Sequence, residues 1–131
     1  MSTPEDKKTA LSGRRVLVVE DDYFQATEMA RTLERAGAEV IGPTASVEAI
    51  SVMIDTEWID SAVVDINLGS GTTFGIARSL RAANVPFVFV TGYDPSTAPD
   101  DMAEESWLTK PVDNDRLIVV VEQLESGRPA R

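Results

Sequence analysis

The sequence SAVVDINLGSGTT, residues 61–73, decides the fold of this chain. Its first half is apolar and β-branched without polar alternation, which predicts a strand buried on both faces of a parallel sheet. The strand ends near a carboxylate, Asp65, and a glycine-rich stretch follows Asn67. An aspartate at the end of a strand is a turn residue more often than not. A functional role for Asp65 is therefore indicated only if chemically suitable residues also end the neighbouring strands.

Strands and helices alternate along the rest of the chain. Further apolar strands are predicted at residues 14–19, 38–42, 86–92 and 106–111, and amphipathic helices at about 22–36, from Ser46 onward, at 72–83 and after Asp113. Five strand–helix units in succession predict an α/β fold with right-handed crossovers and a parallel sheet covered by helices on both faces. The functional site of such a sheet lies at the carboxyl ends of its strands.

Capping residues set the predicted helix limits. Ser46 and Asp113 are predicted N-caps, and Gly37 is a predicted C-cap. Residues 117–121, LIVVV, have strand propensity, but their apolar spacing after a cap predicts a helix. The inner face of the second helix is predicted to contain Val47, Ile50 and Ile54.

The segment between the fourth and fifth strands has few large apolar side chains. Pro95 and Pro99 confine any helix there to about residues 100–105. We therefore expect the fourth helix to be short, shifted or poorly ordered.

Length and charge limit the number of domains and the kinds of partner that the chain can have. The 131 residues suit one domain, for which we expect a tail at 1–13, a folded domain at 14–126 and a second tail at 127–131. The formal net charge of −10 argues against binding nucleic acid or an anionic membrane through a basic face. The N-terminus has no apolar signal-peptide core, and the longest apolar runs are too short to span a bilayer. These features predict a cytoplasmic protein.

The composition also excludes several chemistries. The chain has no cysteine and no histidine, which rules out disulfides, thiolate metal sites, catalytic triads with histidine and a phosphohistidine. The side chains left for chemistry are oxygen ligands and the lysine amine, and oxygen ligands favour Mg²⁺.

A group of polar residues follows or ends four of the five predicted strands. They are Glu20, Asp21 and Asp22 after the first strand, Asp65 and Asn67 at the third, Thr91 and Gly92 at the fourth, and Lys110 and Pro111 at the fifth. Each group alone has an ordinary explanation as a helix cap, turn or solvated loop. Together they predict a cleft of clustered carboxylates in which either one carboxylate holds a proton or a cation lies among them, since neighbouring carboxylates repel. With one lysine and one hydroxyl, the cleft is equipped for phosphoryl transfer to an aspartate.

The motifs VLVVEDD, VVDIN, VFVTG and WLTKP resemble the response-regulator receiver domain of two-component signalling over about residues 13–126. The resemblance implies a flavodoxin-like, doubly wound, five-stranded sheet of order 2-1-3-4-5. It implies that Asp65 accepts a phosphoryl group, that Thr91 bonds a phosphoryl oxygen and that Lys110 pairs with another. It also implies a Mg²⁺ site of Glu20 (through water), Asp21, Asp65 and the backbone carbonyl of Asn67. The bond before Pro111 is expected to be cis, and Asp22 to act as a helix-start charge.

The chain departs from the common family pattern in several places. Leu68 and Gly69 stand where Met-Pro often follows the asparagine, which predicts a looser loop. Trp107 matches the switch aromatic, with a half-buried core position as its simpler interpretation. Gly92 and Tyr93 resemble a subgroup with a Thr-Gly-Tyr switch segment, in which the fourth helix tends to be poorly formed.

The resulting expectation is a single-domain phosphorylation switch rather than an enzyme. A sensor histidine kinase or a histidine phosphotransfer protein would be the donor, and a downstream protein would receive the signal. One alternative is a receiver-like binding module that does not use phosphate. Another is a Mg²⁺-dependent phosphatase, which would want a second aspartate at the position of Asn67. A flavodoxin-type cofactor binder would want a phosphate-binding loop where Glu20 and its two acidic neighbours stand.

Overall fold

The computed structural model describes residues 10–66, 72–92, 99–102 and 105–124. Its strands are β1 (Arg15–Val19), β2 (Glu39–Thr44), β3 (Ser61–Ile66), β4 (Phe87–Thr91) and β5 (Ser106–Thr109). Its α-helices are α1 (Tyr23–Arg35), α2 (Val47–Thr56), α3 (Thr72–Ala82) and α4 (Asn114–Gln123), with a 3₁₀ helix at Asp100–Met102.

The five strands form one parallel sheet of order β2-β1-β3-β4-β5. This confirms the predicted doubly wound α/β fold. The central strand, β3, is buried along its whole length, as the unbroken apolar run predicts for a strand with a helix layer on each face.

Alternate side chains of the strands enter two separate cores, because successive residues of a strand point to opposite faces. One core contains Leu17 and Val64 and packs against Ile50 of α2 and Leu80 of α3. The other contains Val16, Val18, Val63 and Val88, and packs against Leu33 of α1 and Val121 of α4. Asp65 lies two residues after Val63, which places it toward the α1 and α4 side of the sheet.

Three helices begin on a side-chain cap. Asp22 accepts a hydrogen bond from the Gln25 amide, and Ser46 accepts one from the Ala49 amide. Asp113 caps α4 through the amides of Asp115 and Arg116. The predicted caps at Ser46 and Asp113 are confirmed, as is a helix for the LIVVV sequence. The described part of the chain contains no helix long and apolar enough to cross a membrane.

Three findings refine the sequence expectations. Leu11 is completely buried and its amide donates to the Ala36 carbonyl, so the expectation of a loose tail over residues 1–13 does not hold there. Val47 was predicted to face inward but is largely exposed, because it occupies the first helical position after its cap. Between β4 and β5 the described residues contain only the 3₁₀ turn, in agreement with a short fourth helix, while 93–98 and 103–104 lie outside the described residues.

Candidate functional site

The register of the sheet brings the predicted rim residues to one edge. Val19 pairs with Val64, so the next residues along the two strands, Glu20 and Asp65, are neighbours. On the other side of β3, Ile66 pairs with Thr91. The Lys110 amide donates to the Thr91 carbonyl at 2.7 Å, which extends the β4–β5 ladder to the lysine.

Two buried carboxylates face each other at this edge. Glu20 is 5% exposed and Asp65 is 4% exposed. Oε2 of Glu20 and Oδ1 of Asp65 have no hydrogen-bond partner among the described residues. The pKa of Glu20 is raised from its ordinary value of 4.5 to about 8. Burial contributes most and the neighbouring Asp65 carboxylate contributes next, against the opposing effects of the Asp22 amide and of Lys110. Two such groups cannot both stay ionised at low cost unless a cation or a proton lies between them.

Lys110 supplies a positive charge on one side of this pair. Its Nζ lies 2.5 Å from Oδ2 of Asp65, and its side chain is 26% exposed while that of Asp65 is completely buried. The Lys110 ammonium also donates a hydrogen bond to the side-chain oxygen of Gln25 on α1. The Lys110–Pro111 peptide bond is cis.

The turn from β1 into α1 is built on the second oxygen of Glu20. The Asp22 amide donates to Oε1 of Glu20 at 2.9 Å, and Oδ1 of Asp22 accepts from the Gln25 amide at 2.9 Å. Asp22 is thus an N-cap, in line with its expected role at the helix start. Asp21 is exposed.

The residues present fit a divalent cation. Oε2 of Glu20 and Oδ1 of Asp65 are hard, buried oxygens without hydrogen bonds among the described residues, and such oxygens are the ligands that Mg²⁺ takes. Within the described ranges no three acidic side chains lie close enough together to form a complete cage. Mg²⁺ keeps several waters in its shell and is usually bound through one or two carboxylates. The expected backbone ligand, Asn67, lies outside the described residues.

The predicted switch residues lie on the other side of β3. Thr91 is buried at the end of β4 and Gly92 is exposed. Trp107 is half-buried: its ring centroid is 4.5 Å from that of Phe89, and its Nε1 donates to the Met102 carbonyl at 3.2 Å. The indole therefore joins the core to the segment after β4. Tyr93 lies outside the described residues.

Two arginines of α3 hold the same segment from outside. Arg78 donates two hydrogen bonds to the carboxylate of Asp101, at 2.8 and 3.1 Å. Arg81 donates to the Asp101 carbonyl at 2.7 Å and to Oε1 of Glu105 at 2.6 Å. We call these four residues the α3 clamp. The Arg78 guanidinium lowers the pKa of Asp101. The α3 clamp was not predicted, because nothing in the sequence distinguishes its four residues from ordinary surface charges.

Gln25 was also missed. It lies in the first turn of α1, which begins at the edge where β1 ends. Polar residues in the first turn of a helix that starts at the functional edge are therefore candidates in their own right, and that position is the signal that could have found it.

Comparison with known proteins agrees with this geometry. The family profile of the response regulator receiver domain matches residues 16–122. No curated protein sequence matches the chain.

Solved receiver structures have the same fold. The BeF₃-activated conformation of SdrG from Pseudomonas melonis Fr1 is 27% identical, with a TM-score of 0.71, and the match covers 84% of this chain and 95% of that one. The response regulator TrrA of Thermotoga maritima in complex with Mg²⁺-BeF is 20% identical, with a TM-score of 0.72, covering 85% and 98%. TrrA in complex with the histidine kinase ThkA matches with a TM-score of 0.70 at 20% identity, covering 85% and 97%. The family profile matches well over half of the chain, which shows that the chain belongs to the response regulator receiver domains of two-component signalling.

Proposed function

We propose that Asp65 accepts a phosphoryl group from a phosphohistidine on a sensor histidine kinase or a histidine phosphotransfer protein. The observation that carries this proposal is the buried Asp65 carboxylate, which lies between the Glu20 carboxylate and the Lys110 ammonium at the carboxyl edge of the sheet. A buried acid with one positive partner and one unsatisfied oxygen is suited to act as a nucleophile.

The chain's own residues account for most of the chemistry. A carboxylate oxygen of Asp65 forms a bond to phosphorus while the bond between phosphorus and the donor histidine nitrogen breaks. Lys110 donates an N–H of its ammonium to an oxygen of the transferred group. Thr91, on the strand beside β3, donates its hydroxyl to another oxygen. Fixed donors of this kind stabilise the charge on the transferred group without reorganisation of solvent.

We assign the metal site to Asp21 and Asp65 as direct ligands, to Glu20 through a water molecule, and to the backbone carbonyl of Asn67. When bound, Mg²⁺ neutralises the facing carboxylates and the phosphoryl oxygens, which favours attack by one anion on another. The unsatisfied oxygens of Glu20 and Asp65 support this assignment. The TrrA structure with Mg²⁺-BeF supports it by analogy.

Phosphorylation would act on partners through the segment between β4 and β5. A phosphoryl group adds negative charge and acceptor oxygens next to Thr91, and a small shift there reaches Trp107 across the β4–β5 pair. Trp107 bonds the Met102 carbonyl, and the α3 clamp holds the flanking residues. The surface formed by this segment is our proposed site for the downstream protein.

The donor protein would contact the start of α1. Tyr23 and Phe24 are 76% and 79% exposed and pack edge-to-face with ring centroids 5.8 Å apart. Two large exposed rings beside the acidic edge are typical of a protein contact. The kinase complex of TrrA supports a kinase as the partner class.

Beryllofluoride, a mimic of the phosphoryl group, tests the proposal. With Mg²⁺ it should shift the backbone amide signals of residues near Asp65, Thr91 and Lys110, and Asp65→Asn should not respond. An equal response in Asp65→Asn would exclude Asp65 as the acceptor. No response in either protein would favour the phosphate-independent binding module.

A further inference from the structure

We propose that Gln25 is a positioning residue that holds the Lys110 ammonium at the reacting edge. This inference rests on the proposed function. It assigns a role in phosphoryl transfer to a residue of α1 that acts on Asp65 through Lys110. The contact that carries it is the hydrogen bond from the Lys110 ammonium to the side-chain oxygen of Gln25.

The need for a second anchor follows from the nature of lysine. Its ammonium ends a flexible four-carbon stem, and it points equally well in many directions unless its N–H groups are held. The Lys110 side chain is partly exposed, so packing alone does not fix it. Asp65 and Gln25 together accept from two of the three N–H groups of an ammonium. The third is left for a phosphoryl oxygen.

Gln25 is itself held in place by the acidic edge. The backbone amide of Gln25 donates to Oδ1 of Asp22, and the backbone amide of Asp22 donates to Oε1 of Glu20. Glu20 faces Asp65, and Asp65 pairs with Lys110, whose ammonium returns to Gln25. The contacts form a closed ring of five residues around the site. The first turn of α1 therefore fixes the backbone of Gln25 at the point from which its side chain reaches Lys110.

The consequence for phosphoryl transfer is a specific direction of effect. If Gln25 orders the ammonium, its removal slows transfer, because Lys110 then has to be oriented during the reaction. If Gln25 instead draws Lys110 away from Asp65, its removal makes transfer faster. Acetyl phosphate is the donor of choice, because it is too small to depend on a protein docking surface that includes α1.

The experiment combines a rate with a direct view of the ammonium. Gln25→Met keeps the length of the side chain but removes its acceptor, and Gln25→Glu keeps an acceptor at the same distance. Gln123→Met, on the exposed last turn of α4, is the matched control. The readouts are the rate of phosphorylation by acetyl phosphate with Mg²⁺, and nitrogen-15 relaxation of the Lys110 ammonium in the unphosphorylated protein.

For Gln25→Met we expect a rate lower by roughly three- to tenfold, the scale of one hydrogen bond, and a more mobile Lys110 ammonium. Gln25→Glu should keep the ammonium ordered, and Gln123→Met should match the wild type in both readouts. An unchanged or faster rate in Gln25→Met, or an equally ordered ammonium, would overturn the proposal. A wild-type protein that gains no phosphoryl group would contradict the proposed function. In that case the role of Gln25 in phosphoryl transfer is also contradicted, whatever the nitrogen-15 relaxation of the Lys110 ammonium.

Discussion

The Lys110 ammonium lies 2.5 Å from the Asp65 carboxylate, although the two residues come from the ends of different strands separated by β4 in the sheet. On the opposite side of Asp65, the buried Glu20 carboxylate has no cation of its own among the described residues. Asp65 is thus balanced between one attractive and one repulsive neighbour.

Glu20→Gln should stabilise the metal-free protein. The substitution removes the cost of protonating or ionising a buried acid beside Asp65 while keeping an acceptor for the Asp22 amide, so the free energy of unfolding at neutral pH should rise by about 1–3 kcal/mol, the worth of one or two pKa units. The same substitution should weaken Mg²⁺ binding. Urea unfolding with EDTA and with Mg²⁺ measures both effects.

Glu122→Gln, which changes an exposed acid on α4, is the control and should alter neither quantity. A Glu20→Gln protein that is less stable than the wild type without metal would show that the charge of Glu20 is compensated in the folded protein.

The stability of the metal-free protein should fall as the pH rises. The pKa of Glu20 is raised from its ordinary value of 4.5 to about 8 in the folded protein, so the folded state binds this proton more tightly than the unfolded state. The contribution of Glu20 is full below about pH 4.5 and is lost as the pH passes about 8. Urea midpoints measured in EDTA between these limits should decline in the wild type.

The Glu20→Gln protein provides the comparison for this decline, since it lacks the titrating group. Parallel pH profiles for the two proteins would contradict a raised pKa at Glu20. Saturating Mg²⁺ should reduce the difference between them, because a bound cation replaces the proton.

Trp107 should report the switch. Its indole donates to the Met102 carbonyl and packs on Phe89, so a movement of the segment after β4 changes its surroundings. Beryllofluoride with Mg²⁺ should therefore change the tryptophan fluorescence. The chain has a second tryptophan, Trp58, which makes matched variants possible.

Trp58→Phe should keep the fluorescence change and Trp107→Phe should lose it. A change that survives in Trp107→Phe would place the response elsewhere. A change absent from the wild type, in a protein that binds beryllofluoride by NMR, would show that Trp107 is only a core aromatic.

The α3 clamp should control local rather than global stability. Arg81→Met removes exposed ion pairs, which are worth about 0–1 kcal/mol each, so the free energy of unfolding should change little. The amides of Met102 and Glu105 bond the Pro99 and Met102 carbonyls, and their hydrogen exchange should become several-fold faster. Arg31→Met, which breaks a long 3.9 Å pair on α1, should leave both amides unchanged. Equal exchange in Arg81→Met and the wild type would rule out a clamping role.

Phe24 should matter for the donor protein and not for the chemistry. Phe24→Ser should slow transfer from a phosphorylated histidine kinase by about tenfold, the scale of an interface hot spot, and leave phosphorylation by acetyl phosphate unchanged. Val119→Ser, at an exposed apolar position of α4, is the control. Equal losses with both donors would mean that Phe24 acts on the site itself.

Much of the site was predictable because the carboxyl ends of all strands in a parallel sheet lie at the same edge. Once the strands were recognised, Glu20, Asp65, Thr91 and Lys110 had to meet at one edge, since all four follow or end strands. The fold followed from the same apolar runs. The roles of these residues in phosphoryl transfer stay predictions that the experiments above decide.

Other features depend on contacts that long side chains make with residues far away in the sequence. The pattern of strands and helices does not predict such contacts. Gln25 is an ordinary polar residue of an amphipathic helix until Lys110 is seen to bond it. The α3 clamp joins Arg81 to Glu105 across a segment whose path was not predictable from two prolines. Leu11 was assigned to a tail because a single leucine among polar residues has no periodicity.

The most direct test of the central claim is the mass of the protein after incubation with acetyl phosphate, or with phosphorylated histidine kinases, in the presence of Mg²⁺. The account predicts that the wild type gains the mass of one phosphoryl group, that the gain maps to the peptide containing Asp65, and that EDTA or Asp65→Asn abolishes it. A wild type that gains no phosphoryl group from any donor, or an Asp65→Asn protein that gains it equally, would contradict the account.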